Sequence, residues 1–579
     1  MQNAEQALFT DKQYQDSNLV DDLNSSQTRG LGQHLTTLTK VERHEAKSQN
    51  KPWRIVVGYG TETGNSKGIA QQFNDQAREN GKFVEVKNLA DLKVRHLANI
   101  DFLFIVCSTH GDGDPPESVE LFYNALLDYQ ASLEDTAFAV LALGDSTYDL
   151  FCETGKTIDK KLAELCAQQL LECYECDVDF EHEAQVWIKR CLKFIPETGS
   201  SGGAVHATTK RADSTAFSKN NPLQIEVLEN ITLTGPSRVN AIHHLELALN
   251  PNHHFNLRPG DSIGIFPHNP PDLVHAILEL CHFSGDESVT IKETAMPLVQ
   301  ALREHCDLTV VSAKFFNEWS MLSQNQELLG LIEDKKKVRA FLKIHQLTQI
   351  LSVYPLVIEP QLFVDLLRPL QPRLYDVSNS LDAVDNEIHL TVELYQYCFA
   401  GKRCNGIASK FLLDLEPGEL LSIFPQHNKR FQLPTNHNVP IIMIADGTGI
   451  APFRAFIQEI ENKTERCHPT WLLFCEQTFT EDFLYQVDWQ QALQSGSLTR
   501  LDTLFHADIP SATLLDLMAD SYDLFKGWLE AGAHIYLSGH KHEMETLEKS
   551  LNAALGSDPG ISQKWTQLSS QNRLHRNLY

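Results

Sequence analysis

The run Arg54–Phe73, "RIVVGYGTETGNSKGIAQQF", decides the fold of the first part of the chain. Arg54 to Gly58 reads as a buried strand, and "KGIAQQFNDQA" carries apolar or small residues at helical spacing, so Thr61 to Ser66 form a strand-to-helix turn. Amides at a helix start, joined by the hydroxyls of Thr61, Thr63 and Ser66, favour an anion such as phosphate; a plain helix cap is the alternative. The turn lacks both the Gly-Lys-Ser/Thr ending of a triphosphate loop and the G-x-G-x-x-G dinucleotide pattern. A single terminal phosphate, as on a mononucleotide, fits it better.

Outward from this turn, further strand-like runs, "FLFIVCS" and "AFAVLAL", alternate with helical segments over residues 51–197. That alternation predicts a doubly wound parallel sheet, in which ligands bind beyond the carboxyl ends of the strands. The later strands lead into "STHGDGDPPES" and "LGDSTYDLFCETGK", so three loops share one sheet edge. Residues 198–220, rich in Gly, Ser, Thr and Ala, read as a linker. Over 221–436, alternating runs such as "IHHLELAL" and "NEIHLTVELY" suggest an antiparallel barrel interrupted by a helical block at about 271–364. Residues 437–579 open with "VPIIMIADGTGIAPFRAFIQEI", a strand, Gly-rich turn and helix, and predict a second nucleotide-binding α/β domain.

A chain of 579 residues has room for several cores. Its 42% hydrophobic content is that of a globular protein, and no apolar run is long enough to span a bilayer. Residues 1–50 are polar, without periodicity or the pattern of a secretory signal; they read as a tail or an assembly segment, which leaves a homo-oligomer open. The net charge of -27 argues against nucleic acid and anionic membrane and for a basic protein face as partner. Twelve scattered cysteines point to reduced thiols in the cytoplasm, and the pair Cys173 and Cys176 has no second pair with which to bind a metal.

The loops, taken together, resemble those of the diflavin reductases, and within them the flavoprotein components of NADPH sulfite reductases. The resemblance runs from about Arg54 to Tyr579. It implies a flavodoxin-like FMN domain, an antiparallel FAD-binding barrel with a helical insert, and a ferredoxin-reductase-like NADP-binding domain. It also implies an enzyme passing electrons from NADPH through FAD and FMN to a redox partner, a sulfite reductase haemoprotein.

Carried over by motif, "TETGNS" (Thr61, Glu62, Thr63, Gly64, Asn65, Ser66) matches the FMN phosphate loop. "STHG" (Ser108, Thr109, His110, Gly111) and "LGDSTYDLFC" (Leu143, Gly144, Asp145, Ser146, Thr147, Tyr148, Asp149, Leu150, Phe151, Cys152) match the loops around its ring, where Tyr148 and His110 suit the two faces. For FAD the matches are "RLYD" (Arg373, Leu374, Tyr375, Asp376), "TVELYQY" (Thr391, Val392, Glu393 and on to Tyr397), "GIAS" (Gly406, Ile407, Ala408, Ser409) and Thr309. "GTGIAPFRAF" (Gly447, Thr448, Gly449 onward) is the long motif of the reductase superfamily, and Tyr579 stands where the family places an aromatic over the FAD ring.

The departures cluster on hydride transfer. Asp376 stands for the family's serine, Ser538 for its cysteine and Asn577 for its aspartate. Where the family holds cations for a 2′-phosphate, this chain has His506, Ala507 and the acidic "SATLLDLMAD", with Arg500 and Lys541 as candidate substitutes. Two readings follow: a reductase that retains donor use, or an FMN-binding electron carrier or interaction protein with a weakened hydride site or a different donor.

Overall fold

The computed structural model describes residues 53–579 apart from 62–63, 111–112, 117–118, 147, 149, 197–216, 251–254, 385, 400, 464–467, 511–512, 514–515, 517–520, 556–564, 566 and 569–570. The expectations for residues 1–50, the linker up to 216, Glu62, Thr63, Gly111, Thr147 and Asp149 lie outside the described residues. Contacts divide the described chain into two units. One comprises 53–143, 152–176 and 181–196; the other comprises 144–151, 177–180 and 217–579.

The first unit is built on strands β1 (Ile55–Gly60), β2 (Glu85–Asn88), β3 (Phe102–Ser108), β4 (Ala137–Leu143), β5 (Gln168–Gln169) and β6 (Tyr174–Cys176). They pair in parallel in the order β2-β1-β3-β4-β5, with β6 also on β4. This is the flavodoxin-like order. The central runs are apolar on both faces because helices cover both, and nearly every residue of β1, β3 and β4 is buried. Gly155, in the helix Glu153–Glu164, allows a close approach: a Cβ there would lie 2.3 Å from that of Ala142.

The second unit holds two larger sheets. The antiparallel one uses β7 (Leu223–Thr232), β8 (Ile242–Ala248) and β9 (Ser262–Phe266). After an inserted hairpin, β10 (Ser288–Ile291) and β11 (Thr294–Pro297), it continues with β12 (Arg373–Asp376) and β13 (Glu387–Glu393). A second hairpin, β14 (Gln396–Phe399) and β15 (Lys402–Asn405), precedes the last strand, β16 (Leu420–Gln426). The ladders run β12-β9-β16-β7-β8-β13 as an open path, whose edges meet at the isolated bridge Val377–Leu390. In β7, buried Leu223, Ile225 and Val227 alternate with exposed Gln224 and Glu226, as a half-buried strand requires.

Helices from Pro271–Cys281 to Pro360–Leu366 form the inserted block, which also contains the β10–β11 hairpin that helical periodicity did not foretell. Phe315, Phe316, Trp319 and Phe363 fill its core, each burial contributing about 1.5–3 kcal/mol.

The parallel sheet of the same unit has β17 (Ile441–Asp446), β18 (Thr470–Glu476), β19 (Arg500–Phe505), β20 (His534–Gly539) and β21 (Leu574–Leu578), in the order β19-β18-β17-β20-β21. Its strand order reverses at β17, and the turn Gly447–Ile450 leaves the carboxyl end of that strand. Gly449 must be glycine: a Cβ there would sit 2.2 Å from the Ser538 carbonyl oxygen.

Candidate functional site

At the carboxyl edge of β1 and β3, Gly64 adopts a left-handed φ of 89° and precedes the helix Asn65–Glu79, whose first turn no side chain caps among the described residues. The Thr61 hydroxyl accepts from the Gly64 amide at 2.9 Å and so closes the turn. Ser66 is fully buried, and its hydroxyl has no hydrogen-bond partner among the described residues. A buried orphan hydroxyl beside uncapped helix amides fits an anion that brings its own oxygen acceptors. Asn65 begins the helix itself.

Ser108 donates to the Gly60 carbonyl at 3.4 Å, which ties β3 to β1 at this edge. Thr109 donates its amide to Leu143 O at 2.8 Å and accepts from the Thr154 amide at 3.2 Å, bracing the loop against β4. Exposed His110 pairs with Asp114 in an antiparallel bridge. Leu143 ends β4, and buried Cys152, at φ 58°, turns the chain into the next helix. Between them, the segment Gly144–Phe151 groups with the second unit. There Ser146 bonds Asp177 through both hydroxyl and amide, the Tyr148 amide donates to Asp145 O at 3.1 Å, and Tyr148 and Leu150 are exposed. Burial holds the Cys173 thiol up at about 12, and Cys173 and Cys176 are both free thiols.

In the second unit, β12 is an edge strand whose Arg373 and Leu374 are exposed and Tyr375 and Asp376 half-buried. Gly406 precedes the helix Ile407–Asp414, whose amino end no side chain caps. The Ser409 hydroxyl accepts from Tyr395 N at 3.1 Å, and Tyr397 OH accepts from Gln346 at 3.2 Å. An exposed edge strand bearing Arg and Tyr and an uncapped helix start suit a ring and a pyrophosphate.

The remaining residues expected around FAD have these partners within the protein. Val392 lies in the sheet core, whereas Thr391 and Glu393 point to the opposite face. Thr391 there bonds Tyr485 OH at 2.7 Å, and Glu393 bonds Arg238 at 3.0 Å. Thr309 is bonded through amide and hydroxyl to Asp307.

The hydride-site candidates do converge. Asp376 accepts from Ser262 Oγ at 2.8 Å and from Asn577 Nδ2 at 2.6 Å. The two departures at 376 and 577 are thus one hydrogen-bonded unit, an acid facing an amide. Burial pushes the Asp376 carboxyl above the usual carboxylate range, and the bonds from Ser262 and Asn577 pull it back. Asn577 is the register partner of Ser538 on β20, and the buried Ser538 hydroxyl has no partner among the described residues. Tyr579 OH bonds Thr448 Oγ1 at 2.7 Å, and its ring lies 5.3 Å from that of His540, itself bonded to Asp446 at 2.7 Å.

Sequence reasoning passed over Ser262, which carries no motif and reaches Asp376 only through the β9–β12 register. Arg454, within the motif "GTGIAPFRAF", was given no role; it bonds Ser378 O at 3.0 Å and Asp488 at 2.7 Å, and Tyr485 was likewise given none. Of the proposed cation substitutes, Arg500 is engaged by Asp502 and lies 4.9 Å over the Trp471 ring, and Lys541 donates its amide to Tyr579 O at 3.0 Å.

A parallel sheet with an anion-ready turn, followed along the chain by an antiparallel sheet and a second parallel sheet joined by the Asp376–Asn577 acid–amide pair, defines a flavoprotein oxidoreductase of the diflavin reductase class. Family models agree in order: Flavodoxin over residues 57–187, FAD binding domain over 215–411 and Oxidoreductase NAD-binding domain over 443–549. The chain is 34% identical over 541 residues to the "Sulfite reductase [NADPH] flavoprotein alpha-component" of Bacillus subtilis (strain 168), covering 91% of this chain and 89% of that protein. The proteins of the same name from Escherichia coli O1:K1 / APEC and Cronobacter sakazakii (strain ATCC BAA-894) are 34% and 35% identical, each over 91% of this chain and 90% of their own length. The chain belongs to the sulfite reductase flavoprotein alpha-component family.

Proposed function

We propose that this protein takes hydride from NADPH at the carboxyl edge of β17, β20 and β21 and passes the electrons through FAD and FMN to a redox partner, a sulfite reductase haemoprotein. The carrying observation is the convergence of Asp376, Asn577 and Ser538 from strands far apart in sequence. FMN is held by the turn Thr61–Ser66, with the orphan Ser66 hydroxyl on its phosphate, and by the loop after β3. FAD is held by Arg373 and Tyr375 and by the amides at Gly406–Ser409, in a sheet that closes as a flattened barrel at the Val377–Leu390 bridge. Thr448 and Tyr579 border the nicotinamide entrance.

Bound flavins supply the change from a two-electron donor to a one-electron acceptor. The chain's own task is to position, to exclude water and to hold charge. The Asn577 amide and Ser262 hydroxyl hold Asp376 in place, and the buried Ser538 hydroxyl keeps a donor in reserve. A cytoplasmic setting fits cysteines of which no two are joined among the described residues, and no described helix is long and apolar enough to cross a membrane.

Anaerobic titration with NADPH and with NADH, read by flavin absorbance on protein of measured FMN and FAD content, tests this reading. Equal amounts of the two flavins and rapid bleaching by NADPH are expected. FMN alone, or no bleaching by either donor, would identify an electron carrier instead. One observation favours relaxed donor choice: Arg500 is committed to Asp502 and Trp471, and His506 and Ala507 give their amides to the end of β18. NADPH should therefore exceed NADH by less than the charge-assisted bonds of a cationic pocket allow, each worth about 1.5–3 kcal/mol.

A further inference from the structure

One face of the antiparallel sheet holds a group that the flavin reading does not use. On β8, Leu245 and Leu247 enter the sheet core, which puts His244 and Glu246 on the opposite face; on β13, Ile388 and Leu390 enter the core and His389 faces the same way as Glu246. The register sets Glu246 directly across from His389 and His244 across from Thr391. The two imidazoles are buried and their rings lie 4.9 Å apart.

We propose that His244, Glu246 and His389 form a binding site for a divalent transition metal of the zinc class. Glu246 Oε1 lies 3.3 Å from His244 Nε2 and 3.9 Å from His389 Nε2, and the donor atoms of all three residues fall within 4.8 Å of one another. Zinc bonds of about 2.0–2.1 Å in a tetrahedron set donors about 3.3 Å apart, so small side-chain adjustments close the site. Glu387, 2.8 Å from His389 Nε2, is placed to be the fourth ligand. Two neutral imidazoles and two carboxylates match the charge of a divalent ion and suit zinc over magnesium or calcium, which take oxygen ligands. Glu246 and Glu387 are both partly exposed, which leaves a way in.

The outer partner of His244 fits as well. His244 Nδ1 meets Tyr485 OH at 2.9 Å, and Thr391 holds that hydroxyl, so the Nδ1–H tautomer leaves Nε2 for the metal. Arg454, 3.4 Å from His389 Nδ1, spends its principal bonds on Ser378 O and Asp488, and Asp488 offsets its charge. The site would fasten β8 to β13 and, through Tyr485, to the segment that follows β18.

The test uses the full-length, flavin-loaded protein, stripped with a chelator, dialysed, and given zinc alone. Zinc content after equilibrium dialysis is compared for the parent, His244→Gln and Glu246→Gln, with zinc-edge X-ray absorption on the parent. The expected result is one more zinc per chain in the parent than in either variant, at least tenfold weaker binding in the variants, two imidazoles and oxygen around the ion, and no displacement by excess magnesium. Equal zinc in parent and variants overturns the proposal, as does a sulfur ligand at the extra zinc. Should a variant lose flavin, the parent spectrum decides: two imidazoles with oxygen supports the site, and absence of bound zinc refutes it.

Discussion

Replacing Asn577 by aspartate puts a second carboxyl where the structure has an amide donating to Asp376 at 2.6 Å. Two carboxylates at that distance repel by about 6 kcal/mol at an effective dielectric constant of about 20. Keeping one proton between them costs about 1.4 kcal/mol per pH unit above the ordinary carboxyl value, so the dyad holds a proton up to about pH 8. Folding then takes up a proton that the unfolded chain, with carboxyls near about 4, does not bind. The elevated group therefore does no harm below about pH 4, and its cost grows as pH rises toward about 8. Urea unfolding of Asn577→Asp, followed by tryptophan fluorescence, should lose about 1.4 kcal/mol of stability per pH unit across that window relative to the swapped double variant Asp376→Asn/Asn577→Asp. The double variant trades acid and amide and should regain the parent's weaker dependence, which is confined to pH values between the ordinary carboxyl value and the raised one of Asp376. Identical pH profiles for Asn577→Asp and the double variant would refute the pairing.

Ser66→Ala should leave FAD in place and weaken FMN about tenfold to a hundredfold, the value of a hydrogen bond to a charged oxygen, measured as FMN released on dilution; if the hydroxyl met no ligand, removing a buried orphan would leave FMN affinity unchanged. Gly449→Ala should cost about 3 kcal/mol, because the new methyl meets the Ser538 carbonyl at 2.2 Å, and limited proteolysis should then cut the residues after 437 first. Arg238→Met removes the cation shared by Glu393, Glu476 and Asp482 and should cost about 3–5 kcal/mol. Burial already raises the Glu476 carboxyl and Arg238 opposes that rise, so without Arg238 the deficit should be smallest in acid and deepen as pH increases; a pH-independent deficit would count against the cluster. Ala507→Arg should tighten NADPH more than NADH in the flavin-bleaching titration, since NADPH alone carries the 2′-phosphate. Equal tightening would show that residue 507 lies away from that group.

The strand–turn–helix at Thr61–Ser66, the order of the three sheets and the reductase motifs were legible in the sequence because each is local. A strand, a turn of Gly, Thr and Ser, and a helix lie within twenty residues, and burial on both faces leaves an unbroken apolar run that needs no distant partner to be read. The β10–β11 hairpin was missed because its two four-residue strands sit inside a helical region and are too short to register a period. Thr391, Val392 and Glu393 were read together by motif, and a strand motif does not say which face turns toward which neighbour; the packing of Leu390 and Val392 into the core sends Thr391 and Glu393 toward Tyr485 and Arg238.

Asp376 and Asn577 stood out in the sequence as separate departures. That they are one unit is a fact of tertiary structure, since 201 residues separate them and the bond exists only where the β12 edge meets the end of β21. The same holds for His244, Glu246 and His389, unremarkable as alternating polar residues on two strands until register set one against the other. Sequence by itself determined where the longer strands, the turns and the helices lie and which family they serve, because those properties rest on neighbours along the chain. Tertiary structure alone decided which charges and donors face each other, because side chains on different strands meet through pairing register and sheet packing.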